Sequence, residues 1–546
     1  MSLRHGGQIL VDQLSIQGVE RVFCIPGESF LAALDGLYES SIETIVCRQE
    51  GGVAMMADAT ARLTGKPGVA FVTRGPGATN ASAGVHIAFQ DSIPMVLFIG
   101  QVASDQKDRE AFQEVDYRQM FGPLAKWVAE IETTDRIPEY VSHAFHVANS
   151  GRPGPVVLAL PEDMLSAMAD VPDAPVATPT INSLSTNAAQ QICETLESAE
   201  RPLVIVGGGG WTAQAAQDLG VFAAKLGVPV ATSFRCQDYI DNTHLNYVGD
   251  VGIGINPTLS TYIKNSDCLV VIGSRLGEMT TSGYTLLEIP KPQQKLIHIY
   301  PDASELGRVY RPDLAFVAGS AEAMAQLANA SSDNRKPALD VTQTLAESYR
   351  AWQEPEETPG DLKLEQVMSH LRDVLPADTI ISNGAGNYAG WLHRYYRFRQ
   401  YRTQLAPTSG SMGFGLPASV AAKLQYPDRT VICYAGDGDF QMHCQEFGTA
   451  CQYGANIIVL ISNNGLYGTI RMHQEKHYPG RVSGTGMVNP DFAKWAESYG
   501  GYGETVTTNA DFPAALKRAQ NAGKPAILNL MIDPHAIATR MVLKEA

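Results

Sequence analysis

Two short apolar runs that stop in the same abrupt way constrain this chain most. Thr430-Val-Ile-Cys-Tyr434 is β-branched and apolar, and Gly436-Asp437-Gly438 ends it. Asn456-Ile-Ile-Val-Leu-Ile461 is a second such run, ended by Asn463-Asn464. Met442 to Tyr453 lies between them, long enough for a helical crossover, so the pattern predicts strand, helix, strand. A βαβ unit of this kind has parallel strands and a right-handed crossover. Asp437 and Asn464 then leave the same C-terminal edge of one sheet, where open α/β sheets bind ligands. A carboxylate and a carboxamide are hard oxygen donors of the kind Mg2+ takes, with diphosphate oxygens completing the octahedron. The glycines let the backbone approach the anion closely.

The remaining chain alternates in the same manner. Gly7 to Gln17, Leu31 to Tyr38 and the stretch from Glu50 have helical spacing. Arg21 to Ile25, Thr44 to Cys47, Val69 to Thr73 and Pro94 to Ile99 are strand-like runs closed by glycine- or proline-bearing turns. A length of 546 residues predicts about three domains. We place them at 1–168, 185–332 and 360–535, each a doubly wound α/β domain on a parallel sheet. The proline-bearing stretch Val171 to Asn182 is read as one linker, and Ser331 to Asp361, rich in Pro and Glu, as a second boundary. In the middle domain Pro202 to Val206 leads into Gly207-Gly-Gly-Gly210. The G-x-G-x-x-G spacing fails there, because Thr212 or Ala213 stands at the third glycine.

A net charge of -16 argues against nucleic acid or an anionic membrane as the main partner. The eight cysteines show no C-x-x-C spacing, and several sit in apolar runs, which reads as reduced thiols in a cytoplasmic protein. Met1 to Gly7 lacks the apolar core of a signal peptide, and no apolar run reaches membrane-spanning length.

The Gly-Asp-Gly and Asn-Asn pair resembles the diphosphate-binding motif of thiamine-diphosphate (ThDP) enzymes. Cys47 to Asp58, Ala61 to Val69, Gly75 to Asn80, Asp91 to Met95, Ala111 to Asp116 and Gly413 to Pro417 follow in order. Together they resemble the acetolactate (acetohydroxyacid) synthase large-subunit family. The resemblance implies pyrimidine-binding, central and diphosphate-binding domains, in that order. It also implies a homodimer or homotetramer, with ThDP seated between the first domain of one subunit and the third of another. ThDP activation needs a carboxylic acid on the aminopyrimidine ring, in a water-poor pocket and with a raised pKa. By position that acid is Glu50. Asp437, Asn464 and the Leu466 carbonyl would hold Mg2+. Pro26, Gly27, Thr73, Gly386, Asn387, Tyr388, Ser411, Gly436, Gly438, Asp439, Tyr467 and Gly468 would line the cofactor, and Met412 would be the apolar wedge that bends it. Phe112, Gln113 and Lys126 line up at the substrate side. Related decarboxylases carry a His-His pair where this chain has Phe112-Gln113, which favours carboligation over simple decarboxylation.

Several positions depart from the family. Gln49 and Gly51 flank Glu50 where the synthases have His and Gln, and Arg74 replaces a Ser before Gly-Pro-Gly. Met279 stands where the acceptor-carboxylate arginine belongs, and His473 where the acceptor-pocket Trp does. Met cannot offer a bidentate guanidinium. Arg471 is the candidate replacement cation, or else a surface charge. The same departures put in doubt the FAD that the synthases hold in their central domain. The expected activity is ThDP- and Mg2+-dependent decarboxylation of a 2-oxo acid such as pyruvate, with the acyl-anion equivalent passed to a carbonyl acceptor. The alternatives are a ThDP lyase or decarboxylase for another 2-oxo or 2-hydroxy acid, a catalytically silent homologue, and a dinucleotide-dependent oxidoreductase.

Overall fold

The β-branched runs pair into three six-stranded sheets, parallel throughout. This computed structural model describes residues 3–330 and 338–543. The first sheet runs Glu43–Val46, Arg21–Cys24, Gly68–Val72, Met95–Gln101, Pro155–Pro161, Trp127–Glu130. The third runs Gln404–Leu405, Ile380–Asn383, Val431–Gly436, Ile458–Asn463, Ala526–Met531, Tyr502–Val506. Numbered along the chain, both have the strand order 2-1-3-4-6-5. The central sheet runs Tyr247–Asp250, Val230–Thr232, Pro202–Val206, Cys268–Ile272, Lys295–Tyr300, Leu314–Val317, which is 3-2-1-4-5-6. Met95–Gln101, Pro155–Pro161 and Val431–Gly436 are buried along their whole length. Inner parallel strands covered by helices on both faces read as continuous apolar runs for this reason.

Strand order decides where ligands can go. In an open parallel sheet the crevice opens where the order reverses, beyond the carboxyl ends of the strands. In the first sheet that point lies between Arg21–Cys24 and Gly68–Val72, so it carries the loops of Pro26-Gly27 and Thr73 to Gly75. In the third it lies between Ile380–Asn383 and Val431–Gly436, and carries Gly384 to Tyr388 and Asp437 to Asp439.

The βαβ expectation is met with one change. Val431–Gly436 and Ile458–Asn463 pair in parallel, with Gly436 opposite Ser462. The helix begins at Asp437 rather than after it: Asp437–Gln441 is a first short helix and Glu446–Gln452 a second. The boundary expected over 331–361 also changes. Residues 331–337 lie outside the described residues, and Leu339–Trp352 is a helix. Its Leu345, Ala346 and Tyr349 join the cores packed on the central sheet. Polar surface residues had hidden that apolar stripe. Val171 to Asn182, by contrast, has no regular secondary structure between Met168–Ala169 and Thr186–Ser198, and Gln13 holds it through Ala174.

The chain divides into two compact units. One comprises Met1–Thr180, Leu416–Pro427 and His443–Ala455, and the other Ile181–Gly415, Asp428–Met442 and Asn456–Ala546. The eight cysteines are free. Among the described residues no helix is long and apolar enough to cross a membrane.

Candidate functional site

In the first unit the site is built on the helix Glu50–Thr64. Gln49 caps it, its Oε1 accepting the N–H of Gly51 at 2.5 Å and of Gly52 at 3.2 Å. A side-chain oxygen at this position satisfies amides that have no partner within the helix. The cap fixes Glu50 in the first turn, half-buried, where its Oε2 accepts the Asn80 amide at 2.9 Å. Behind the turn Glu446 is fully buried, accepting the Arg48 N–H at 3.0 Å and the Thr449 hydroxyl at 2.6 Å. Burial pushes its carboxyl up to about 7. His443 Nε2 lies 3.2 Å from the same Gln49 oxygen.

At the switch point Pro26 is exposed and Gly27 half-buried, while Thr73 hydrogen-bonds Ser29 at 2.9 Å. Phe112 is 72% exposed and Gln113 half-buried, in the loop after Met95–Gln101. Lys126 is not with them. It precedes Trp127–Glu130 and so stands at the opposite, N-terminal edge of the sheet. Its ammonium donates to the carbonyls of Val147 and, at 2.6 Å, of Ser150, where the helix Ile137–Asn149 ends. A cation placed on those last carbonyls serves the helix, not a substrate.

In the second unit Asp437 is buried at the C-terminal edge of Val431–Gly436. Its Oδ1 accepts Gly438 N–H at 2.9 Å, and its Oδ2 accepts Gly465 N–H and the Asn489 amide, both at 2.7 Å. Burial raises its pKa, and these donors hold it down. Asn464 Oδ1 accepts the Leu466 N–H at 3.0 Å, folding the neighbouring loop back toward the strand end. Among the described residues no group of three or more His, Cys, Asp or Glu is placed to hold a metal ion. Asp437, Asn464 and the Leu466 carbonyl therefore offer a mixed set of hard oxygens, which fits Mg2+ shared with a diphosphate and not a soft metal.

The side chain of Asp439 ties loops together. Its carboxylate accepts Ala385 N–H at 3.1 Å, Gly413 N–H at 2.8 Å and the Tyr388 hydroxyl at 2.8 Å. It thus ties the loops of Gly386 and Met412 to the strand end, and burial pushes it up to about 6. Asn387 is clamped by Thr469, which lies one residue past Gly468. Gly438 must lack a side chain, since a Cβ there would lie 2.8 Å from the Tyr467 ring. Ser411 and Met412 are half-buried in the turn before Gly415–Gln425.

The acceptor-side candidates are scattered. Met279 is half-buried in a turn-rich segment. Arg471 is paired with Glu475 at 2.8 Å on the helix Gly468–His477, so its charge is already met. His473 is exposed and stacks on His477. The middle glycine loop is packed by the chain itself. A Cβ on Gly208 would lie 1.8 Å from the Gly273 carbonyl oxygen. Trp211 Nε1 donates to Gly207 O at 2.9 Å, the Tyr239 hydroxyl to Gly208 O at 2.5 Å, and Ser320 to Gly209 O at 3.1 Å. The carbonyls of this loop are thus taken by the chain's own donors. Asn80, Asn489, His443 and Glu446 were not singled out from sequence. Asn80 ends a motif that was, whereas Asn489 lies 52 residues from Asp437 with no local signal.

Three family models match in the order of the sheets. They are the thiamine pyrophosphate enzyme N-terminal TPP binding domain over residues 4–120, the central domain over 189–327, and the C-terminal TPP binding domain over 384–530. With the switch-point loops described above, they define an enzyme that works with thiamine diphosphate. Curated relatives narrow the class. The acetolactate synthase large subunit of Haemophilus influenzae is 32% identical, over 95% of this chain and 92% of its own length. The isozyme 3 large subunit of Escherichia coli is likewise 32% identical, over 95% and 92%, and the isozyme 2 large subunit 31% identical, over 97% and 96%. The chain belongs to the acetolactate synthase large-subunit family of thiamine-diphosphate enzymes, and it is of the carboligase type.

Proposed function

We propose that this enzyme, with Mg2+, decarboxylates pyruvate or a close 2-oxo acid and transfers the acyl-anion equivalent to a carbonyl acceptor, giving acetolactate or a related hydroxyketone. The observation that carries this reading is the Phe112-Gln113 turn. It offers a phenyl ring and a carboxamide, neither of which protonates a carbanion to release an aldehyde. Thiamine diphosphate, when bound, supplies the carbon nucleophile and the electron sink. Glu50 would hydrogen-bond the aminopyrimidine ring and hold its proton. Asp437, Asn464 and the Leu466 carbonyl would hold the cation. Backbone at Gly386 to Tyr388 and at Gly438-Asp439 would face the diphosphate, with Met412 packed against the cofactor's apolar side. We take the working form to be a homodimer or homotetramer. The test is a panel of 2-oxo acids followed for CO2 release, with products identified. Acetolactate or another hydroxyketone from pyruvate is expected. CO2 with free acetaldehyde alone points to the lyase or decarboxylase alternative, and no CO2 from any member rejects the proposal.

Acceptor preference should follow from Met279. A charge-assisted pair to a substrate carboxylate is worth about 1.5–3 kcal/mol. At about 1.4 kcal/mol per tenfold, lacking it weakens a 2-oxo acid acceptor by about one to two orders of magnitude. Arg471 is spent on Glu475. With pyruvate as donor, an aldehyde at equal concentration should therefore out-compete a second pyruvate, and Met279→Arg should shift the products back toward acetolactate. Acetolactate predominance in the wild type, unchanged by the substitution, rejects this. A further expectation concerns the packed glycine loop: protein purified in the native state should release no stoichiometric flavin on denaturation, read by fluorescence.

A further inference from the structure

Of the non-glycine residues with positive φ, three fall in one loop: Asp108 at 61°, Glu110 at 55° and Gln113 at 65°. The loop joins Met95–Gln101 to Tyr117–Phe121, and its one helical turn is Ser104–Gln106. Positive φ crowds Cβ against the backbone. It persists where neighbouring contacts over-determine it, which happens most often at working sites. Part of the loop is tied by Glu114, whose carboxylate accepts the N–H of Asp108 at 2.7 Å and of Ala111 at 2.9 Å. Gln101 donates to Val115 O at 2.9 Å.

At Gln113 itself the tether is Arg74. This guanidinium is buried; its Nε donates to Phe112 O at 3.1 Å, and its other nitrogens reach Glu28 at 3.4 Å and Glu162 at 3.5 Å. Glu28, Arg74, Phe112 and Glu162 follow four different strands of the first sheet, all at its carboxyl edge. One planar fork thus fixes four loops, which a lysine ammonium cannot do with the same geometry. The adjacent Gly75 lets the turn close in, since a Cβ on it would lie 2.9 Å from both Cβ and O of Gln113. With two carboxylates facing it, Arg74 has its charge met and is not a receptor for an acidic substrate.

We propose that Arg74 is a positioning residue: it holds the Phe112-Gln113 turn so that the Gln113 carboxamide faces the reacting carbonyl, and so sets the partition between ligation and aldehyde release. The inference rests on the carboligase reading above. In ligation a carbon–carbon bond forms to the acceptor, whose carbonyl electron pair moves to oxygen and takes a proton. In release the same donor carbon takes a proton from water. Both branches end with the product's bond to the cofactor breaking, its electron pair returning to the cofactor. A fixed amide over the site favours the first branch by orienting the acceptor carbonyl and keeping water off the donor carbon.

The test compares wild type, Arg74→Ala, Arg74→Lys, Gln113→Ala and the Arg74→Ala/Gln113→Ala double variant, with pyruvate as donor and acetaldehyde as acceptor. Hydrogen exchange of the amides from 108 to 115 should quicken about tenfold in Arg74→Ala, equivalent to about 1.4 kcal/mol of easier local opening. The ratio of hydroxyketone to newly released aldehyde should fall about tenfold in Arg74→Ala and in Gln113→Ala, and no further in the double variant, because one residue acts through the other. Arg74→Lys should fall between. The ratio is read per turnover, so a partly unfolded sample does not distort it. Unchanged loop exchange, an unchanged ratio, or a multiplicative loss in the double variant each overturns the positioning role alone. A wild type that releases no CO2 from any 2-oxo acid overturns the carboligase reading, and this proposal with it.

Discussion

Glu50→Gln should lower turnover by about 10²–10⁴-fold, the usual worth of a positioned acid or base, while fold and cofactor affinity stay near wild type. The local geometry explains why so small a change can be so selective. Gln49, not Glu50, caps the helix, so the turn survives the substitution. A glutamine oxygen can still accept the Asn80 amide that Glu50 Oε2 accepts at 2.9 Å. Glu446 and its bond to the Arg48 N–H lie behind the turn and are untouched. What the amide cannot do is give a proton to a ring nitrogen and take it back. The direct measurement is exchange of the cofactor's reactive-carbon proton, with thiamine diphosphate affinity measured alongside. Wild-type exchange in the variant would rule out Glu50 as the activating acid. Slowed exchange together with lost affinity would mean that the substitution had damaged binding rather than activation.

Much of the fold was legible because parallel α/β architecture writes itself locally. Most inner strands are apolar runs, and their ligand loops begin at a glycine- or asparagine-marked stop, as at Gly436 and Asn463. The exceptions share a physical reason. Leu314–Val317 is an apolar run of only four residues with none of them buried, so it does not stand out as a core strand. Leu339–Trp352 buries Leu345, Ala346 and Tyr349 on a helix whose other face is charged, and composition alone made it look like a linker.

The candidate site divides in the same way. Asp437 and Asn464 were legible because their spacing is set by one βαβ unit. Their supporting residues were not, because they come from distant segments: Asn489 reaches Asp437, and the Asp439 carboxylate gathers loops at Ala385 and Gly413. Lys126 misled because matching order along the chain does not reveal which edge of a sheet a residue occupies. Trp127 opens its strand, so the residue before it lies at the N-terminal edge of the sheet, opposite the ligand loops. Arg471 is paired with Glu475 one helical turn on, a partner that the family comparison of single positions does not reveal.

Asp437→Ala should abolish Mg2+-dependent retention of thiamine diphosphate, a loss beyond the about 10–100-fold that removing a mere supporting partner of a metal ligand costs. The substitution removes the only carboxylate of the proposed ligand set, leaving a carboxamide and a carbonyl against a divalent cation. It also strands three donors: the amides of Gly438 and Gly465 and the side chain of Asn489 lose their acceptor in a buried place. Part of any loss could therefore be structural, and Asp437→Asn separates the two causes. An asparagine oxygen keeps the acceptor for Gly465 and Asn489, strands only the Gly438 amide, and withdraws the charge, so its fold should be nearer native than the alanine variant's while its cation dependence should still be gone. The reading is a titration of cofactor binding against Mg2+ and against chelator, in wild type and in both variants. Wild-type binding that ignores the chelator would exclude a metal role for Asp437. Retention in Asp437→Asn with loss only in Asp437→Ala would assign the residue to holding the loop together rather than to the cation.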